Sequence, residues 1–276
     1  MASYYDPASK GTDMLKLVRT TSKKAGLPPG SPIFVGQKLT DRFAVSVVDY
    51  DAETCSVSTP LRIEEFHLLK RTPTNTWIAV HGLHDAEAVD RFCAKFGLHP
   101  LTIEDILHTG QRPKVDYYDD YLFLVTTLVK YDEVHREMTT EQISFVVGDN
   151  YLLSFHERNS DIFTPVLDRI TSNKGRTRKM GIDYLIYSLL DTVVDNFFSV
   201  LEQIGEDIEE LEDELITKPD PETIQSIHYL KREMILLRKA IWPLREVISA
   251  LQRDETILGD PQIRHYLKDL YDHTIC

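Results

Sequence analysis

From Ile33 to about Glu157, apolar runs of strand length recur between Gly, Asp and Asn breaks. Ile33–Val35, Phe43–Tyr50, Trp77–His81, Tyr121–Tyr131, Glu141–Val147 and Tyr151–His156 are rich in β-branched and aromatic residues, which predicts six strands. Gly148-Asp149-Asn150 separates the last two runs by a tight turn, so that pair is antiparallel. Helical spacing fills Ala86–Phe96, Pro100–Leu107 and Ile162–Ser172. Asp85 is placed to cap the first, and Pro100 opens the second, where a helix tolerates proline.

The period then changes. Leu190, Val194, Phe197, Leu201, Ile204, Ile208, Leu211 and Leu215 follow one another at alternating steps of four and three, a heptad seam. After Lys218-Pro219-Asp220-Pro221 the same alternation resumes through Ile227, Leu230, Met234, Leu237, Ile241, Leu244, Ile248 and Leu251. Two long helices joined by a short turn pair antiparallel, with arms of roughly 45 Å at about 1.5 Å per residue. Pro243 is expected to kink the second. A third helix starts near Pro261, with Ile263, Leu267, Leu270 and Thr274 on one face. It reaches Cys276 without a stop signal, so the natural chain is expected to continue. Residues 1–25 read as a flexible basic tail carrying Lys10, Lys16, Arg19, Lys23 and Lys24 among small residues. The division is therefore 1–25 tail, 26–176 α/β part, and 177–276 helical hairpin with a further truncated helix.

Charge sharpens this division. The 276 residues carry 31 basic and 44 acidic side chains, a net of −13, and −11 of that falls after Met180. Such a balance disfavours nucleic acid and anionic bilayers as partners and favours cations. Three unpaired cysteines fit a reducing cytoplasm. No apolar signal segment opens the chain, and no stretch approaches 18 uncharged apolar residues.

Several carboxylate sets are candidates for cation binding. Glu202 to Glu214 holds eight carboxylates and no basic residue, near a helix C-terminus where the dipole disfavours negative charge. Glu104 and Asp105 are adjacent on a short helix, so they aim in two directions. Asp191 and Asp195 are i,i+4 beside the heptad seam, and His265, Asp269 and Asp272 line the polar side of the last helix. Hard oxygen donors in ones and twos suit Mg²⁺, which keeps most of its water. His81, His84 and Asp85 offer an enzyme alternative, a metallohydrolase, against the plainer reading of a strand end and helix cap. GxGxxG, P-loop, HExxH and GxSxG signatures are absent. A scaffold using its helical hairpin to bind protein partners is the third class of reading.

Gly97-Leu98-His99-Pro100-Leu101-Thr102-Ile103-Glu104-Asp105-Ile106-Leu107 resembles the GxHPLxxEDI region of CorA-type magnesium and cobalt transporters. Gln111-Arg112-Pro113-Lys114-Val115, Asp183–Tyr187 followed by Asp191, Ile241–Glu246 and Tyr271–Thr274 fall in the order and spacing of that family. The resemblance implies an α+β fold: an α/β/α sandwich with a mixed sheet, then long antiparallel helices and the start of a stalk helix, assembled as a funnel-shaped homopentamer. It further implies that Asp105 of one subunit faces Asp269 of the next across a Mg²⁺ site, with Glu104 and Asp191 contributing to a second. The family's membrane helices and its Gly-Met-Asn signature are not among these residues. The expected role is thus the Mg²⁺-sensing regulatory domain of a Mg²⁺/Co²⁺ channel, at the cytoplasmic face of the cell membrane and joined to it through further C-terminal helices. A zinc-transporting relative is the alternative within the family.

Overall fold

The computed structural model describes residues 26–58, 73–133, 135–217, 221–253 and 261–275. The expected tail over 1–25, the inter-helix turn at 218–220 and Cys276 lie outside them. Seven strands form one sheet: β1 (Ala44–Tyr50), β2 (Cys55–Ser58), β3 (Asn75–His81), β4 (Lys114–Tyr117), β5 (Leu122–Asp132), β6 (Glu137–Val147) and β7 (Tyr151–His156). Their order is β2-β1-β3-β7-β6-β5-β4. Every pairing is antiparallel except β3 with β7, which run parallel with Ile78 opposite Leu153. The sheet is therefore mixed, two antiparallel meanders joined along one parallel seam.

Alternation along the strands serves both faces. Val45, Val47, Ile78, Val80, Phe123, Val125, Leu153 and Phe155 point to one side. There they pack on α1 (Ala86–Phe96) and α2 (Pro100–Leu107) through Phe92, Phe96, Ile103 and Ile106. Val48, Tyr50, Trp77, Leu122, Leu124, Phe145 and Leu152 point to the other, against α3 (Thr164–Thr171), α4 (Thr177–Thr217), α5 (Pro221–Arg253) and α6 (Pro261–His273). The result is an α/β/α sandwich whose second helical layer includes the long helices. Asp85 caps α1 by accepting the Ala88 N–H at 3.0 Å, and Gly97 closes it in the left-handed region (φ 68°).

Four elements differ from expectation. Ile33–Val35 is not a strand; only Val35 makes an isolated bridge, to His108. The edge strands β2 and β4 are unpredicted because each is only four residues long, with two apolar positions, too short for alternation to stand out. β6 starts four residues before Glu141, because Glu137 to Thr140 pair with Thr-free partners Val129 to Asp132 across a long polar hairpin.

The heptad seams hold where a sheet lies behind them. Leu190, Val194, Phe197, Leu244, Ile248 and Leu251 are buried. Farther out, Ile208, Ile227 and Met234 are exposed, because a two-helix arm covers only a stripe of each helix. α5 continues as helix through Pro243. α4 passes the length and hydropathy test for a membrane span, but 56% of its apolar window is buried inside the fold. It is read here as a core helix.

Candidate metal centre

Asp105 and Glu104 sit on α2, whose start is fixed by His99: its Nδ1 accepts the Leu101 N–H at 3.2 Å, and Pro100 supplies the first helical residue. The adjacent carboxylates do diverge. Glu104 turns towards the N-terminal turn and accepts the Gly30 N–H. Gly30 has φ +81°, and a Cβ there would come within 2.8 Å of Pro100 Cβ, so only glycine lets this turn approach α2.

Asp105 turns towards edge strand β4. Its Oδ2 lies 2.6 Å from Lys114 Nζ, and its Oδ1 accepts from Gln111 Nε2. The same ammonium lies 2.7 Å from Asp116 Oδ2. Burial pulls the Lys114 pKa down, but hydrogen bonds to Asp105 and Asp116 outweigh it, and the net direction is up. Beneath this group, Gln142 on β6 donates to the Asp105 carbonyl at 3.1 Å and accepts the Gln111 N–H at 3.0 Å. The Gln142 N–H in turn donates to buried Glu157 at 2.7 Å. Burial pushes the Glu157 carboxyl up to about 7.

Asp191 and Asp269 lie on the other side of the sheet, on α4 and α6. Asp191 is half-buried, and its pKa is raised first by burial, then by Asp195 and by Asp269. Arg169 and His273 act in the opposite direction without cancelling the rise. Asp269 is exposed, with His273 Nε2 at 3.9 Å. Tyr184, Tyr187 and Tyr266 wall this set, with ring centroids 5.1–5.4 Å apart. Within one chain this set is left short of positive charge, with Asp195 and Asp269 both acting on Asp191 as like charges.

One chain thus brings Asp191 near Asp269 but leaves Glu104 and Asp105 apart from them. Asp105 is tied to β4, whereas Asp191 is within electrostatic reach of Arg169 on α3, which packs on β2. Among the described residues, no three His, Cys, Asp or Glu side chains gather closely enough to hold a metal ion.

Several of the remaining candidates have partners within the chain. His81 Nδ1 lies 3.0 Å from the Arg158 carbonyl and its ring stacks on His156, while Asp85 is the α1 cap. Within Glu202–Glu214, Asp207 and Glu210 are paired by Arg136, which the β5–β6 hairpin brings from 70 or more positions away. The sequence showed no basic residue nearby because the compensating one is distant in the chain. Gln111 and Lys114 lie in a stretch that carried the family resemblance. Gln142 had no signal, since strand pairing alone brings it to Asp105, and Asp116 joins the group through Lys114, two positions away on β4.

Both the layered fold and the sequence match a class of divalent-cation transporters. The family model described as CorA-like Mg²⁺ transporter protein matches residues 74–275. The cobalt/magnesium transport protein CorA of Thermotoga maritima is 42% identical over 254 residues, covering 92% of this chain and 72% of that protein. The soluble domain of CorA from Methanocaldococcus jannaschii superposes with a TM-score of 0.69 at 20% identity, covering 87% of this chain and 90% of that one. The complete CorA magnesium transporter of the same organism gives 0.69 at 19% identity, with 86% and 71% covered. The chain belongs to the CorA-like Mg²⁺ transporter family, whose members are ion transporters and not enzymes. That removes the hydrolase reading of His81, His84 and Asp85.

Proposed function

We propose that this chain forms the cytoplasmic, Mg²⁺-sensing part of a Mg²⁺/Co²⁺ channel. Mg²⁺ bridges Asp105 of one subunit and Asp269 of the next, with Glu104 and Asp191 contributing to a neighbouring site. Bound cation holds a homopentamer closed, and loss of cation loosens it. The observation that supports this reading is the division of the carboxylates: each chain has two incomplete sets on opposite sides of its sheet, which only a second copy would complete.

Magnitudes make the switch feasible. Two carboxylates about 5 Å apart repel by about 3 kcal/mol at an effective dielectric near 20, and a divalent cation reverses that sign. A site at ten times its Kd contributes about 1.4 kcal/mol. Five such sites supply roughly 7 kcal/mol, against about 5.5 kcal/mol needed to swing a two-state equilibrium from 1:99 to 99:1. Weak individual sites therefore suffice.

The test is Mg²⁺ titration of the wild type, Asp105→Ala and Asp269→Ala, following protease protection and native mass. Both variants are expected to lose Mg²⁺-dependent protection, with the midpoint moved by about tenfold or more. Equal protection in all three proteins would sink the assignment.

A further inference from the structure

Asp105 has both oxygens engaged within its own chain. The Gln111 amide takes Oδ1, while the Lys114 ammonium sits at 2.6 Å from Oδ2. That ammonium already has a second anionic partner, Asp116, at 2.7 Å. It can leave Asp105 and remain neutralised, which a lysine with one partner could not. The ammonium is also held rather than floating: its side chain is only 32% exposed and packs over the Phe123 ring at 5.6 Å from the centroid. A divalent ion bound directly to Asp105 would bring a doubly charged centre against this cation, and the two repel strongly where solvent is partly excluded.

We propose that Lys114 is a built-in competitor for the divalent cation at Asp105, moving wholly onto Asp116 when the metal binds. This rests on the reading of Asp105 as a Mg²⁺ ligand and adds the residue that sets its threshold. In the metal-free chain, Lys114 prevents bare Asp105 and Asp116 from repelling each other, which stabilises the resting fold. In the metal-bound chain it weakens the site, so occupancy responds to Mg²⁺ at concentrations where an unopposed carboxylate pair would already be saturated. Lys114 is thus a positioning and affinity-setting residue, not a ligand.

The test is calorimetric titration of the 276-residue chain with Mg²⁺, alongside melting in EDTA. Lys114→Gln is expected to bind Mg²⁺ ~3- to 10-fold tighter while melting at a lower temperature in EDTA. A residue with only a structural role would lower both. Lys114→Arg, which keeps a cation, is expected to bind no tighter than wild type. Lys95→Gln makes the same charge change on exposed α1 and is expected to leave affinity unmoved. If Asp105→Ala removes Mg²⁺ binding but Lys114→Gln leaves affinity equal or weaker, the competitor role is overturned and the site stands. If Lys95→Gln tightens binding as much as Lys114→Gln, the effect is general charge and the role is again overturned. If Asp105→Ala leaves Mg²⁺ binding unchanged, the site itself fails and the competitor role with it.

Discussion

The two carboxylate sets sit on one sheet yet are balanced in opposite ways. Asp105 has a lysine and a glutamine amide on its two oxygens, and its backbone is pinned by Gln142. Asp191, by contrast, is half-buried among like charges, and burial with Asp195 raises its pKa. One set is neutralised inside its own chain and the other is left in debit. A site built from both would gain most from a cation at the Asp191 side, while the Asp105 side decides how readily the cation is admitted. The difference arises from the neighbouring element: a polar edge strand with Lys114 stands beside Asp105, and a second helix that presents Asp269 stands beside Asp191.

The largest effect is expected below the Asp105 set. Glu157 has a folded pKa of about 7, above its ordinary value, so the native state binds the extra proton. Its favourable contribution is complete below the ordinary glutamate pKa and is lost as pH rises through about 7. Glu157→Gln should therefore raise stability at pH 8 by about 2–3 kcal/mol and flatten the fall in stability between pH 4.5 and 7. Denaturant titration at several pH values measures this, and an unchanged slope would show that the buried carboxyl is not protonated.

A paired substitution tests the comparison directly. In EDTA at neutral pH, Asp105→Asn should lower the melting temperature by about 2–4 °C, because Lys114 and Gln111 lose a charged acceptor. Asp191→Asn should raise it by about 2 °C, and that gain should fade as pH falls into the carboxylate range, where wild-type Asp191 is itself protonated. Shifts of the same sign would break the contrast between the two sets.

The smallest effect belongs to the acidic arm. Arg136→Ala removes the cation paired with exposed Glu210 and with Asp207, which is mostly covered but keeps the Tyr131 hydroxyl as a donor. The expected loss is below about 1 kcal/mol and should shrink further in high salt. A larger loss would mean that the arm is tied to the sheet more tightly than exposed ion pairs allow.

Much of the fold was legible because period and punctuation carried it. α1, α2 and α6 appear where spacing, the Asp85 cap and Pro100 or Pro261 put them, and the Gly148–Asn150 turn joins an antiparallel pair. The edge strands were not legible because they are too short for alternation to stand out, and the bare outer seam was not because exposure there depends on what lies behind a residue rather than on its own type. Ile208 and Leu211 belong to one heptad pattern, yet Ile208 is 37% exposed and Leu211 is buried. For the site, the carboxylates could be read from helical spacing and family resemblance. Their more distant partners could not: Gln142 and Arg136 reach their acids through strand pairing and a hairpin, which no local window contains.

The placement of the two carboxylate sets on opposite faces of the sheet also bears on symmetry. A two-fold axis brings the same patch of two copies face to face, so it would set Asp105 against Asp105. Complementary half-sites on different sides of a chain can meet only head to tail. Head-to-tail contacts either close into a ring or run on as an open filament. In a closed ring the number of bridged junctions equals the number of subunits, and none is spare. Opening a single junction exposes two unlike ends, each of which can capture only the other kind.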